Sequence, residues 1–333
     1  MRLSELLVTL VLKLVVKLVV KLVVKLVFKL VLMLAVCLPA GVASAQPATP
    51  AVTHRITLND AVQLDMAAPG TVQFIGTATV LIRYLGLTIL TDPNFLHRGE
   101  HVHLGYGLHS QRLTEPALQL AQLPPIDLVV LSHFHEDHFD KFVQQHLDRD
   151  TLIVTTPHGA GKLKALGFRR ALALARWEAL ELRRNDARLT VSAMPGRHGP
   201  AGAAVLLPPV MGSMLDFAGP EPRQRYRLYI SGDTLVFDDI ALIPHRFPGI
   251  DLAVLHLGGT RILKLMKVTM DSQDGVEMLN IIAPAHAIPI PYNDYDVFKS
   301  PLSEFVEAAR AAGLKGKITY LKHGESYTFR NRP

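Results

Sequence analysis

The chain has 333 residues, 49% of them hydrophobic, enough to bury one large core. Of its net charge of +6, +5 sits in residues 1–45, where Arg2 and five lysines face only Glu5, so the remainder, at +1, offers no global electrostatic case for nucleic-acid binding. The only cysteine, Cys37, also lies there, which excludes an internal disulfide or a thiolate ligand further along; any metal must use imidazoles and carboxylates.

In residues 1–45 the unit KLVV recurs with period four. On a helix that step turns each lysine by roughly 40°, so the lysines smear into a broad stripe that a bilayer core tolerates poorly. After Lys29 the run LVLMLAVCL is purely apolar, and Ala43, Ser44 and Ala45 form a small-residue cleavage pattern. Residues 1–45 therefore read as a secretory signal with an enlarged basic region, or as an uncleaved membrane anchor. The expected location is periplasmic or secreted, or the inner membrane if the anchor is retained. A lipoprotein site at Cys37 fits poorly beside bulky Val36. Residues 46–55, beginning QPATP, read as a linker, and residues 56–333 as one domain.

From Ile56 strand and helix signals alternate, which favours α/β layers. TVQFIGTATVLIRYLGLTILTDP predicts two or three successive strands turning at Gly76 and Gly86. IDLVVLS is a continuous apolar run and predicts a buried strand. FDKFVQQHL predicts a helix capped by Asp140. TLIVTTP, RLTVSAMPG, RYRLYISGD, IDLAVLHLGG and AIPIPY predict further strands. TMDSQDGVEMLNIIAP, capped by Thr269 or Asp271, and SPLSEFVEAARAAG, stopped at Gly313, predict helices. GPAGAAVLLPPVMGSMLDFAGPEP reads as an apolar lip for a greasy substrate or as an ordinary loop.

Strand after strand ends in His or Asp: His133, His198, Asp233. Ligands at strand ends can converge on one edge of a sheet. The densest cluster is HFHEDH, residues 133–138. His133 and His135, two apart, can share one cation, and Asp137 and His138 can reach a second. The set suits Zn²⁺, with Mn²⁺ or Fe²⁺ as alternatives. No G-x-S-x-G elbow and no P-loop occurs, so the expected nucleophile is metal-bound hydroxide. His97, His101, His103 and His109 fit a solvated loop or the mouth of the site.

HFHEDH matches the H-x-H-x-D-H signature of the metallo-β-lactamase superfamily. With TATVLIRYLGLTILTDPNF, PGRHGP, YISGDT and the late TMD and IPIPY segments, residues 70–330 resemble the branch that holds L-ascorbate-6-phosphate lactonase and the N-acyl-phosphatidylethanolamine phospholipase D enzymes. The resemblance implies a four-layer αββα sandwich and a dinuclear metal hydrolase. It implies that His133, His135 and His198 bind the first metal, that Asp137 and His138 bind the second, and that Asp233 bridges them. Asp137 and His138 are then the catalytic pair, with Asp137 managing the proton of the attacking water. Asp92 resembles a carboxylate that orients a ligand, or else serves an Asp-Pro turn.

One position departs from that pattern. The branch carries a histidine in an IPIHY-like strand, and here Pro291 stands in its place. The expectation is a tight first zinc site and a weaker second one, with His286 and His323 poor substitutes. The expected substrate is a small or lipid-like ester, with phosphodiester and lactone favoured and nucleic acid not expected. Two alternatives stay open: an impaired metal- or ligand-binding protein of the same fold, and a nuclease. Oligomeric state is not legible.

Overall fold

The computed structural model describes residues 51–58, 68–105, 107–202, 204–262, 266–291 and 293–329. The leader, residues 1–45, lies outside the described residues. Among the described residues no helix is long and apolar enough to cross a membrane.

Strand β1 (Ala51–Thr57) comes first, followed by the antiparallel meander β2 (Gly70–Gly76), β3 (Thr79–Tyr84) and β4 (Leu87–Thr91). A short ribbon, β5 (His101–His103) and β6 (His109–Gln111), precedes β7 (Leu128–Val130), β8 (Ile153–Thr155) and β9 (Ala171–Ala173). These three extend the meander in parallel from β4, with helix α1 (Lys141–His146) joining β7 to β8 and α2 (Pro157–Ala165) joining β8 to β9. A second antiparallel run follows: β10 (Glu178–Arg184), β11 (Ala187–Met194), β12 (Gly212–Ala218) and β13 (Arg225–Ile230). Helix α3 (Leu242–Arg246) leads to β14 (Leu252–His256), and a ribbon of β15 (Arg261–Ile262) and β16 (Met266–Lys267) follows. The chain then runs through α4 (Ser272–Ile282), β17 (His286–Ile290), α5 (Leu302–Ala311) and β18 (Ser326–Phe329).

The large strands form two seven-stranded sheets, ordered β18-β2-β3-β4-β7-β8-β9 and β1-β10-β11-β12-β13-β14-β17. Alternate residues from both, such as Val72, Ile82 and Val130 from one and Leu180, Leu228 and Val254 from the other, pack in a single cluster between them. The opposite faces carry helices. Val143 of α1 and Leu163 of α2 pack on Leu81, Val129 and Ile153 of the first sheet. Ile243 of α3, Met278 of α4 and Phe305 of α5 pack on Tyr229 and Leu255 of the second. The result is the four-layer αββα sandwich.

Two segments differ from the sequence reading. Residues 51–55, expected within a linker, belong to β1, which pairs in parallel with β10; its alternation of exposed and half-buried residues is that of an edge strand, a weak sequence signal. The apolar stretch after His198 contains β12, a central strand between β11 and β13, so its hydrophobicity mainly serves the core. Pro209 to Met211, just before β12, line a surface cavity.

The expected Asp140 cap does more than start α1. Its Oδ1 accepts from Val143 N at 2.7 Å, and its Oδ2 accepts from Phe95 N at 2.5 Å and Leu96 N at 3.2 Å. The carboxylate thus ties the loop after β4 to the loop after β7. We expect Asp140→Ala to lower stability by about 3 kcal/mol, since it strands buried N–H donors as well as removing a cap. Urea unfolding measures this; a loss below about 1 kcal/mol would contradict the pinning role.

Candidate metal centre

Six strand ends meet at one rim of the sandwich. Asp92 follows β4, His133 to His138 follow β7, His198 follows β11 and Asp233 follows β13. His256 ends β14 and Pro291 follows β17. Their backbones are fixed by the sheet ladders, so the side chains need little ordering to converge.

The local chemistry aims them. Asp92 adopts a left-handed conformation, φ 36°, one residue before Pro93. This turns its Oδ1 to accept from Ser132 N at 2.7 Å. Asn94 donates to Glu136 O at 3.2 Å, and the fully buried Arg112 donates to Asn94 Oδ1 at 2.8 Å, so the motif loop is held from below. Gly232, at φ 62°, makes the turn that swings Asp233 inward; a Cβ there would stand 2.7 Å from Met211 O.

The first cluster is made of imidazoles. His133 Nε2 lies 3.0 Å from His135 Nδ1, and the His198 ring centroid stands 5.0 Å from that of His133 and 5.3 Å from that of His135. His198 Nδ1 donates to Val268 O at 2.9 Å, which leaves the Nε2 lone pair free to bind. Burial pushes all three below the ordinary imidazole value, and neighbouring histidines add to this for His133 and His135; His135 falls to about 3. Neutral imidazoles packed this closely are suited to a shared cation.

The second cluster is acidic. His138 Nε2 lies 3.2 Å from Asp233 Oδ2 and 3.8 Å from Asp137 Oδ2, while His138 Nδ1 lies 3.4 Å from Asp92 Oδ2. Burial would lower the His138 pKa, but Asp233, Asp137 and Asp92 outweigh it and hold it well above the usual value. Burial raises Asp137 to about 6 against the opposing pull of His138. Asp233 is held well below the usual range, because His138 and the hydrogen bonds it receives outweigh desolvation.

The residues fit a metal pair. His133, His135 and His198 form one set whose ligand atoms lie within 4.8 Å of one another; His133, His138 and Asp233 form another, and Asp92, His138 and His256 a third. Two donors about 2.1 Å from one tetrahedral ion stand about 3.4 Å apart, and His133 Nε2 and His135 Nδ1 lie 3.0 Å apart. Asp137 Oδ1 is buried without a hydrogen-bond partner, as a ligand oxygen would be.

All six sequence-predicted ligands therefore meet at this rim. Asp92 Oδ2 stands 3.4 Å from His138 Nδ1, within reach of that ring. Pro291 lines the same small pocket as Asp137, His138 and Asp233, so the position expected to lack an imidazole does face the second cluster. His286 and His323 are elsewhere: His286 Nε2 bonds Thr319 Oγ1 at 2.7 Å and His323 Nε2 pairs with Asp294 Oδ1 at 3.0 Å. None of His97, His101, His103 and His109 joins a metal-binding set among the described residues, although His103 N donates to Glu136 Oε2 at 2.8 Å at the edge of the motif loop. Sequence reasoning missed His256. The signal was present, since AVLH also ends a buried strand in histidine.

The family described as "Beta-lactamase superfamily domain" matches residues 88–292, more than half of the chain. The chain belongs to this superfamily. It is 26% identical over 254 residues to a UPF0173 metal-dependent hydrolase of Carboxydothermus hydrogenoformans, covering 74% of this chain and 95% of the relative. A shorter match, 32% over 117 residues, links it to a mitochondrial N-acyl-phosphatidylethanolamine-hydrolyzing phospholipase D of Saccharomyces cerevisiae, with 34% of this chain and 24% of the relative covered. Among solved structures, a possible metal-dependent hydrolase from Veillonella parvula aligns with a TM-score of 0.67 at 18% identity, over 79% of this chain and all of the other. Its likeness is one of fold. With relatives over most of its length named metal-dependent hydrolases, the chain is a metal-dependent hydrolase of this fold.

The two clusters should respond differently to pH. The first-site imidazoles are already neutral near pH 7, so a cation there displaces no proton and its affinity stays flat from pH 7 to 8. At the second cluster the raised His138 carries a proton that a cation must expel, so affinity rises about tenfold per pH unit while that single proton is exchanged. Competition with a chromogenic chelator at pH 6, 7 and 8 measures both; parallel slopes would contradict this assignment.

Proposed function

We propose that this hydrolase acts on an ester-like bond, with phosphodiester and lactone favoured, and that it holds two zinc ions, the second more weakly. The observation that carries the reading is the convergence of neutral imidazoles and buried carboxylates at one rim. His133, His135 and His198 would hold the first ion. Asp137 and His138 would hold the second, with Asp233 between them. When bound, such ions acidify a water molecule and polarise a substrate oxygen.

The chain's own residues do the rest. Asp137, whose buried Oδ1 has no hydrogen-bond partner, is placed to accept or return the proton of the attacking water. Asp92 holds the His138 ring in place. A cavity of about 270 Å³ lies between Pro209–Met211 and Met194–Arg197, the residues that precede His198 in the chain. Its wall is largely apolar, with Leu174, Met194, Val210, Met211 and Phe237, and it includes the guanidinium-bearing Arg176 and Arg197. Arg197 lies over the Phe237 ring at 4.5 Å, and its buried Nε has no hydrogen-bond partner. An apolar wall with a spare cationic donor suits a substrate that joins a greasy group to an anionic one. That is also the character of the phospholipid substrate named for the yeast relative. Export, or retention at a membrane through residues 1–45, completes the proposal, and nucleic acid is not a proposed partner.

A second reading is a metal- or ligand-binding protein that has lost turnover. Pro291, where the second cluster would take another imidazole, favours it. The test is hydrolysis of bis(4-nitrophenyl) phosphate and a panel of lactones by the zinc-loaded protein. We expect turnover that chelation abolishes and zinc restores, and a fall in kcat/KM of at least about 100-fold in His135→Ala, since even residues that only orient a metal ligand are worth about 10–100-fold. Turnover that survives both treatments would contradict the mechanism. Tight zinc binding without turnover of any substrate would favour the second reading.

A further inference from the structure

Among the described residues His256 is fully buried, yet nothing in the mechanism above uses it. Leu252 and Val254 of β14 pack into the core between the sheets, and period-two alternation puts His256 on that same face, at the rim of the core. Strand β17 runs parallel beside it in a register that pairs His256 with Ile290, the residue before Pro291. The missing imidazole and the extra one are therefore neighbours on adjacent strands.

The surroundings of His256 are those of a ligand. Its Nδ1 lies 3.3 Å from Asp233 Oδ1, and its ring lies nearly parallel to that of His138, with centroids 5.8 Å apart. Its Nε2 has no hydrogen-bond partner and stands 4.0 Å from Asp92 Oδ2. A buried imidazole nitrogen left unsatisfied costs stability unless something binds it. The backbone is also held, since His256 N donates to Ser231 Oγ at 2.8 Å. Asp92, His138 and His256 offer three ligand atoms within 4.8 Å of one another.

We propose that His256 supplies the second cation with the imidazole that position 291 lacks, binding it through Nε2 together with His138 and Asp92, while Asp233 accepts from its Nδ1. The inference rests on the metal-centre reading above and changes the second ion's ligands, joining His256 and Asp92 to His138. The second position is then an inward-shifted, nitrogen-bearing site rather than a depleted one. It stays weaker than the three-imidazole site, because its ligands include an acid that also orients His138.

The test counts ions. The purified full chain is stripped with chelator, reloaded with zinc and assayed for bound zinc and for affinity by chelator competition, without reference to turnover. Wild type is expected to take two ions. His256→Gln is expected to lose at least 30-fold in affinity for the second while the first is unchanged, and His256→Gln with Pro291→His is expected to recover it. A second-ion affinity in His256→Gln within threefold of wild type overturns the proposal, as does a wild type that takes only one ion. No ion at all overturns the metal-centre reading itself. Wild type loaded with ¹¹³Cd gives a check that needs no variant to fold: the second cadmium resonance should couple to the His256 ring protons, and two bound ions without that coupling overturn the ligand role.

Discussion

Three carboxylates buried within reach of one imidazole are the constraint around which this rim is built. Asp92, Asp137 and Asp233 all approach His138, at 3.4, 3.8 and 3.2 Å. Taking such charges out of water is costly unless positive charge accompanies them. The raised His138 supplies one charge. Three acids around it leave room for more, and a divalent ion answers that need directly. The neighbouring imidazoles of His133, His135 and His198 are pushed the other way, toward neutrality, and so favour a cation through lone pairs rather than charge. Two sub-sites with opposite electrostatic character stand side by side, meeting at His133 and His138, whose ring centroids lie 4.3 Å apart.

The sandwich makes this arrangement tolerable. Each ligand sits at or just past the end of a strand whose other residues are locked between two layers, so the cost of bringing unlike segments together is carried by the core. Gly232 and the left-handed Asp92 are the two backbone adjustments that turn side chains inward, and Asp140 and the Arg112–Asn94 link hold the motif loop against movement. Loops that must stay this still are tied by buried hydrogen bonds rather than by surface pairs, which contribute little.

Much of this was legible in the sequence because its signals were local. H-x-H-x-D-H packs four ligands into six residues, and the apolar runs before His133, His198 and Asp233 announced strands ending in ligands. The meander turning at Gly76 and Gly86, the Asp140 cap and the helix begun at Asp271 were readable for the same reason. What escaped depended on non-local facts. His256 is one histidine in an apolar strand, and only the pairing of β14 with β17 shows that it lies beside Pro291. β12 looked like a lip because its Gly- and Pro-rich flanks dominate the local pattern, while its place between β11 and β13 is set by ladder partners far along the chain. β1 was read as linker because an edge strand with one solvated face has little hydrophobic signature.

The central claim is that residues from two separate loops, after β7 and after β11, hold one cation. Anomalous diffraction at the zinc edge, on crystals of the zinc-loaded protein, tests it most directly. The account predicts the strongest peak about 2.0–2.1 Å from ring nitrogens of His133, His135 and His198 together. A strongest peak among His97, His101, His103 and His109, or none at the rim, would contradict it.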